Sequence, residues 1–143
     1  MRQELVIRDW HPRTNPNGDN ARRHWSVIRR NHDIDRDMAW ASAKQAGWVF
    51  VPGRVKLTIT LVYPRNTLPD TDNAYAKVKG LIDGLKHEGM VKPGVGWWES
   101  AAAGLRGFFT DDSTEWLELE VRAIVEKGCK AVRIELEPAG VLA

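Results

Sequence analysis

The clearest alternation in the chain runs through Val55, Leu57, Ile59 and Leu61, separated by Lys56, Thr58 and Thr60, and it predicts a strand buried on one face that ends at Pro64. Leu5 and Ile7 mark a shorter strand near the start, and Trp10 to Asn20 is loop by its Pro12, Asn15, Pro16, Asn17 and Gly18. Val27, Ile34, Met38 and Ala41 then recur at helical spacing, with Ala39, Ala43 and Ala46 favouring the helix and Gly47 stopping it, so a helix is predicted from about Trp25 to Ala46. A second helix, capped by Asp72 or Asn73, has the apolar stripe Val78, Leu81, Ile82 and Leu85 and ends at Gly89. From Val91 to Gly107 the glycines and Pro93 around Trp97 and Trp98 give an irregular insertion, with room for one helical turn at Ala101 to Ala103. Beyond it Leu117, Leu119, Val121, Ala123 and Val125 alternate with polar residues, and Val132, Ile134 and Leu136 resume the period after Gly128, which predicts a β-hairpin.

The resulting order is β-α-β-α-β-β, an α+β fold in which two helices pack on a four-stranded sheet, mixed or largely antiparallel. At 143 residues the chain fits one domain, 1–143, large enough to bury a core without disulfides. No apolar run is long enough to span a bilayer, and Met1 is followed by neither a signal-peptide core nor a cleavage pattern, so a cytoplasmic protein without membrane partners is expected. Cys129 is the only cysteine, which rules out an internal disulfide or a thiolate zinc cage within one chain and reads as strand filler. A formal net charge of +2 does not announce nucleic-acid binding, yet Arg13, Arg22, Arg23, Arg29, Arg30 and Arg36 crowd the first quarter while aspartates gather later. That distribution suits a basic approach to an acidic centre, and equally a solvated helix face.

The acidic centre is the chemically telling part. Asp70, Asp72, Asn73, Lys79, Asp83 and the later Asp111 and Asp112 bring carboxylates and a lysine around one predicted helix. Hard cations such as Mg²⁺ take oxygen ligands, keep some of their water and leave room for a phosphate. With about 100° per residue, Lys79 and Asp83 fall within roughly 20° of Asp72 around the helix axis, opposite the apolar stripe. An ordinary surface helix with a Lys79–Asp83 pair would show the same spacing. Asp70 and Asp72 are harder to explain structurally, because one aspartate suffices to cap a helix whereas two held together repel unless a metal ion relieves them. His11, His24, His32 and His87 form no ligand spacing and are assigned no role.

The string PDTDNAYAKVKGLIDGLKHEGMV, followed by FFTDDSTEWLELEV, resembles the signature of the RusA family of Holliday junction resolvases. Asp70, Asp72 and Asn73 match its D-x-D-N, Lys79 and Asp83 its K-x-x-x-D, and Asp111 with Asp112 its late acidic pair. More loosely, Asn20 to Trp25 is similar to the Asn-rich stretch ahead of that family's first helix. The resemblance implies a homodimeric, Mg²⁺-dependent endodeoxyribonuclease, with Mn²⁺ able to substitute and no organic cofactor, that nicks opposed strands of four-way junction DNA. Asp70, Asp72 and Asp112 would be the metal-binding carboxylates with Asp111 beside them, Lys79 the essential basic residue, and Asn73 and Asp83 supporting. Two departures stand out. Ala74 to Val78 put five residues between Asn73 and Lys79 where the compact family pattern has two; Lys79 keeps its place if the helix starts a turn later, and on one continuous helix from Asp72 it would sit too far from Asp72 to reach the same phosphate. The insertion before the acidic pair is also longer than the family's. Arg22, Arg23, Arg29, Arg30 and Arg36 are the available counter-charges for junction phosphates, and Trp97 and Trp98 either stack on unpaired bases or pack over the protein's own core. A branched-DNA binder of the same fold without catalysis is the alternative from another functional class.

Overall fold

The computed structural model describes residues 2–13, 25–65, 68, 71–86 and 107–140, and of Thr71, Asp72 and Asn73 the backbone alone. Strand β2 (Val55–Tyr63) is the spine of a four-stranded mixed sheet. On one side it runs parallel to β3 (Leu117–Val125), with Leu57 beside Leu119 and Ile59 beside Val121. On the other it is antiparallel to β4 (Ala131–Pro138), with Leu57 opposite Leu136 and Ile59 opposite Ile134. Strand β1 (Gln3–Arg8) closes the far edge, antiparallel to β4 through Leu5↔Ile134 and Ile7↔Val132. Among the described residues the strand order β1-β4-β2-β3 leaves β1 and β3 as edges.

The predicted hairpin does not form. Both of its strands exist, but β2 lies between them. The link Glu126–Lys130 wraps the end of β2 instead: the Glu126 amide donates to the Tyr63 carbonyl at 3.0 Å and Gly128 to the Pro64 carbonyl at 3.4 Å, and Gly128 adopts φ 76° to make the turn. The alternation was sound, but it does not specify which neighbour a strand takes. Burial decides that: Leu57 to Val62 are all buried, as in a central strand, whereas β3 is half-exposed along most of its length. Cys129 belongs to this link rather than to a strand.

The helices cover one face of the sheet. Helix α1 (Trp25–Gln45) has the predicted extent, but its buried face is Asp35, Ala39 and Ala43, while Ala41 is exposed. The larger apolar residues Val27, Ile34 and Met38 sit at its margin. Close approach explains the shift: α1 crosses α3 (Lys79–Leu85), where a Cβ on Gly84 would run into the Arg36 backbone, so only small side chains fit the crossing. The second predicted helix is in two pieces, α2 (Thr71–Lys77) and α3, broken at Val78. It does not start a turn late; a β-branched residue followed by Gly80 and Gly84 makes a poor helical interior. Phe109, Leu57, Ile59, Leu61, Leu81, Leu85, Ile134 and Leu136 are fully buried between helices and sheet, and each such side chain contributes about 1.5–3 kcal/mol.

Among the described residues no helix covers the other face of the sheet, which is charged. Thr58 and Thr60, expected on the solvent side, are nonetheless buried there, flanked across the strands by Glu120, Glu135, Arg122 and Arg133 whose long stems cover them. No helix among the described residues is long and apolar enough to cross a membrane.

Candidate functional site

Beyond the insertion the chain returns at Gly107 and is pinned to the end of α3. The Phe108 amide donates to the Leu85 carbonyl at 2.8 Å, Lys86 and Phe109 form a parallel bridge, and the Val51 amide donates to the Phe108 carbonyl at 2.9 Å. Fully buried Phe109 anchors the segment, and a turn at Ser113 then feeds β3, with Leu117 donating to the Ser113 carbonyl at 2.8 Å. Asp111 and Asp112 are thereby held beside α3. The result is a cleft of about 570 Å³ lined by Tyr75, Lys79, Asp83, Asp112, Leu117 and Leu119 among others.

Lys79, Asp83 and Asp112 thus line one concavity. Asp112 lies 3.8 Å from the Lys86 ammonium, which is a screened, partly exposed pair. Asp111 is slightly desolvated, which works against its charge, but hydrogen bonds from the Asp112 amide and the Ser113 side chain and the nearby charge of Lys86 outweigh this and hold its carboxyl below the ordinary range. Asp111 is therefore held as a hard, anionic oxygen donor, the kind of ligand that suits Mg²⁺. Among the described residues no three Asp, Glu, His or Cys side chains gather into a metal cage. Asp70 lies outside the described residues, as do the side chains of Asp72 and Asn73; the backbones of Asp72 and Asn73 form the first turn of α2.

The Lys79–Asp83 pair of an ordinary surface helix gives way to a contact between helices. Asp83 Oδ2 accepts from His32 Nε2 at 2.7 Å, tying α3 to α1 beside the cleft. His32 had no signal in the sequence, since its partner is 51 residues away. Asp35 was missed likewise: fully buried on α1, it accepts the Arg13 amide at 2.8 Å and fixes the end of the first loop. Arg29 and Arg30 are exposed on α1, whereas Arg36 is 3.7 Å from Asp33. Arg22, Arg23, Trp97, Trp98 and the insertion up to residue 106 lie outside the described residues.

At the opposite end of β2, His11 Nε2 sits 2.7 Å from the Val62 carbonyl and 3.1 Å from that of Ala131. Carbonyls only accept, so Nε2 carries the proton. Its ring meets Tyr63 edge-on at 4.6 Å, and the Lys77 ammonium lies 5.7 Å from the centre of the same tyrosine ring. Burial, with Lys77 and Lys130 nearby, lowers the His11 pKa below its ordinary 6.5 despite the Val62 hydrogen bond. The unfolded chain then binds a proton more readily than the folded one. His11 consequently contributes stability that is present above about pH 6.5 and is lost as pH falls toward its folded value. The gap in urea midpoint between the parent and His11→Gln is expected to narrow as pH drops from about 7.5 to 5; parallel profiles would refute this.

No family model matches the chain. A protein of Xylella fastidiosa (strain Temecula1) described as an uncharacterized protein is 38% identical over 70 residues, which is 46% of this chain and 46% of that relative. The chain spans about half the length of the curated relative it matches.

Proposed function

We propose that the protein is a RusA-like, Mg²⁺-dependent endodeoxyribonuclease that resolves four-way DNA junctions by paired nicks, acting as a homodimer in DNA recombination and repair. The observation that carries this reading is the cleft in which Asp112, from the segment ahead of β3, meets Lys79 and Asp83 from α3. These are the residues that the family motif ties together. Asp70, Asp72 and Asp112 would hold the metal, with Asp111 next to them; when bound, Mg²⁺ supplies an activated water and relieves negative charge at the phosphate.

The helix does not start a turn later, but its break at Val78 makes Lys79 the first residue of α3, exposed on the rim of the cleft, and from there its ammonium would offset charge developing on the phosphoryl oxygens. Asp83 would not compete for that ammonium, because His32 already engages it. Twofold symmetry would set two such clefts against the two equivalent strands of a junction. Arg22, Arg23, Arg29, Arg30 and Arg36 would hold phosphates, and Trp97 and Trp98 would meet unpaired bases at the branch point.

A labelled four-way junction incubated with Mg²⁺ and, separately, with EDTA tests the proposal. Symmetrical nicks that require Mg²⁺ are the expected result. Binding without nicking would favour the non-catalytic branched-DNA binder, nicking confined to another branched DNA or RNA would reassign the substrate, and neither binding nor nicking would refute both.

A further inference from the structure

Along most of the open sheet face, cations stand beside carboxylates. Arg2 pairs with Glu4 at 2.9 Å and Glu135 at 2.8 Å, Lys56 with Glu120 at 3.6 Å, and Arg122 with Glu120 at 3.0 Å. The matching stops at the end where the β3–β4 link wraps β2. There Arg8 stands opposite Ala131, Lys130 immediately precedes Ala131, and Arg133, opposite Val6, is the diagonal neighbour of Arg8. Arg133 reaches Glu126 at 2.7 Å, but among the described residues neither Arg8 nor Lys130 forms an ion pair. These three cations line a cavity of about 370 Å³ in which Asp9 is the one acidic residue among the described residues. Its floor is fixed, because Asp9, at φ 56°, donates its amide to the Lys130 carbonyl at 2.7 Å and so ties the end of β1 to the link.

Positive charge is crowded behind the cavity as well. Lys130 pushes down the pKa of Lys77 and of His11, adding to the larger effect of burial in each. Glu126 offsets Arg133 and Asp35 offsets Lys77 only in part, and the like charges that remain repel one another, a repulsion that an incoming anion relieves. Guanidinium groups further suit phosphate oxygens, which they bind in bidentate fashion.

We propose that the cavity formed by Arg8, Lys130 and Arg133 is a second phosphate-binding site, taking the phosphodiester backbone of nucleic acid. The choice of nucleic acid rests on the nuclease reading above; the site itself is separate from the cleft. The cleft wall at Leu117 and Leu119 lies beside Val55 and Leu57 on the helix-covered side of the sheet, whereas the cavity's Ala131 and Arg133 stand across from Val62 and Thr60 on the other side. Alternate residues of a strand point to opposite faces, so the sheet itself stands between the two sites. A strand passing Asp112 would therefore not be the backbone held here, and on a branched substrate the cavity would grip a different arm.

The test is junction binding in EDTA over a range of salt concentrations, comparing the parent with Arg8→Ala/Lys130→Ala and with Lys56→Ala, which removes an ion-paired cation of the same face. The double variant is expected to bind more weakly, with a plot of log K against log salt shallower by roughly one unit for each cation removed, at an unchanged melting temperature. Lys56→Ala should leave the slope in place. An unchanged slope in the double variant, an equal change in Lys56→Ala, or no binding by the parent would overturn the proposal. Nicking in Mg²⁺, measured on the same preparations, reports on the nuclease reading separately: its absence would sink that reading and leave a changed slope standing.

Discussion

Gly84→Ala is expected to destabilise the protein by about 3 kcal/mol or more, lowering Tm by roughly 10 °C. Gly84 is buried in α3 where that helix crosses α1, and a methyl group there would collide with the Arg36 carbonyl oxygen and come within 2.9 Å of its carbon. Backbone cannot swing aside as the tip of a flexible side chain can, so the helices must separate. Separation would also open the packing of Ala39 and Ala43, which are both fully buried. Gly140→Ala supplies the control, since nothing lies within 4 Å of the added carbon and the change should be worth less than about 0.5 kcal/mol. The consequence reaches the cleft: Asp83 precedes Gly84 and holds His32 across the same crossing, so a variant that does fold should show a displaced Asp83. Equal melting temperatures for Gly84→Ala and Gly140→Ala would refute the close crossing.

That crossing shows where sequence patterning runs out. The apolar period of α1 is real and located the helix, but it pointed to Val27, Ile34, Met38 and Ala41 as the inner stripe. The actual inner face follows the spacing of Asp35, Ala39 and Ala43, because the space allowed by Gly84 on another helix selects for small size over hydrophobicity. Strand β2 was legible because its alternation is set by its own backbone, and its end at Pro64 is a local effect. The partner of β3 was not legible. Two strands joined by a short link ordinarily pair, and only the hydrogen bonds from the Glu126 and Gly128 amides to Tyr63 and Pro64 show the link stepping over β2 instead. The same division holds at the cleft. Helical spacing put Lys79 and Asp83 on one face, whereas nothing in the intervals tied Asp112 to them; the family motif supplied that link. His32 and the cluster of Arg8, Lys130 and Arg133 depend entirely on tertiary packing and left no mark on the chain read in one dimension.

Asp112→Asn is expected to remove junction cleavage by a factor on the order of 10² or more while leaving junction binding and melting temperature near those of the parent. The substitution keeps size and shape but removes the charge that a metal-binding carboxylate must carry. Little structural penalty should accompany it, since Asp112 is 44% exposed and its pair with Lys86, at 3.8 Å, belongs to the weak surface class. That pair also sets up a comparison. If Asp112 served only to anchor Lys86, then Lys86→Ala would damage cleavage as severely; if Asp112 holds the metal, Lys86→Ala should change the rate only a few-fold, because it frees the carboxylate without removing it. Asp72→Asn should reproduce the phenotype of Asp112→Asn, and the double variant should be little worse than either alone, as expected of residues that act as one unit. Paired nicks from Asp112→Asn at close to the parent rate would take the cleft beside α3 out of the chemistry.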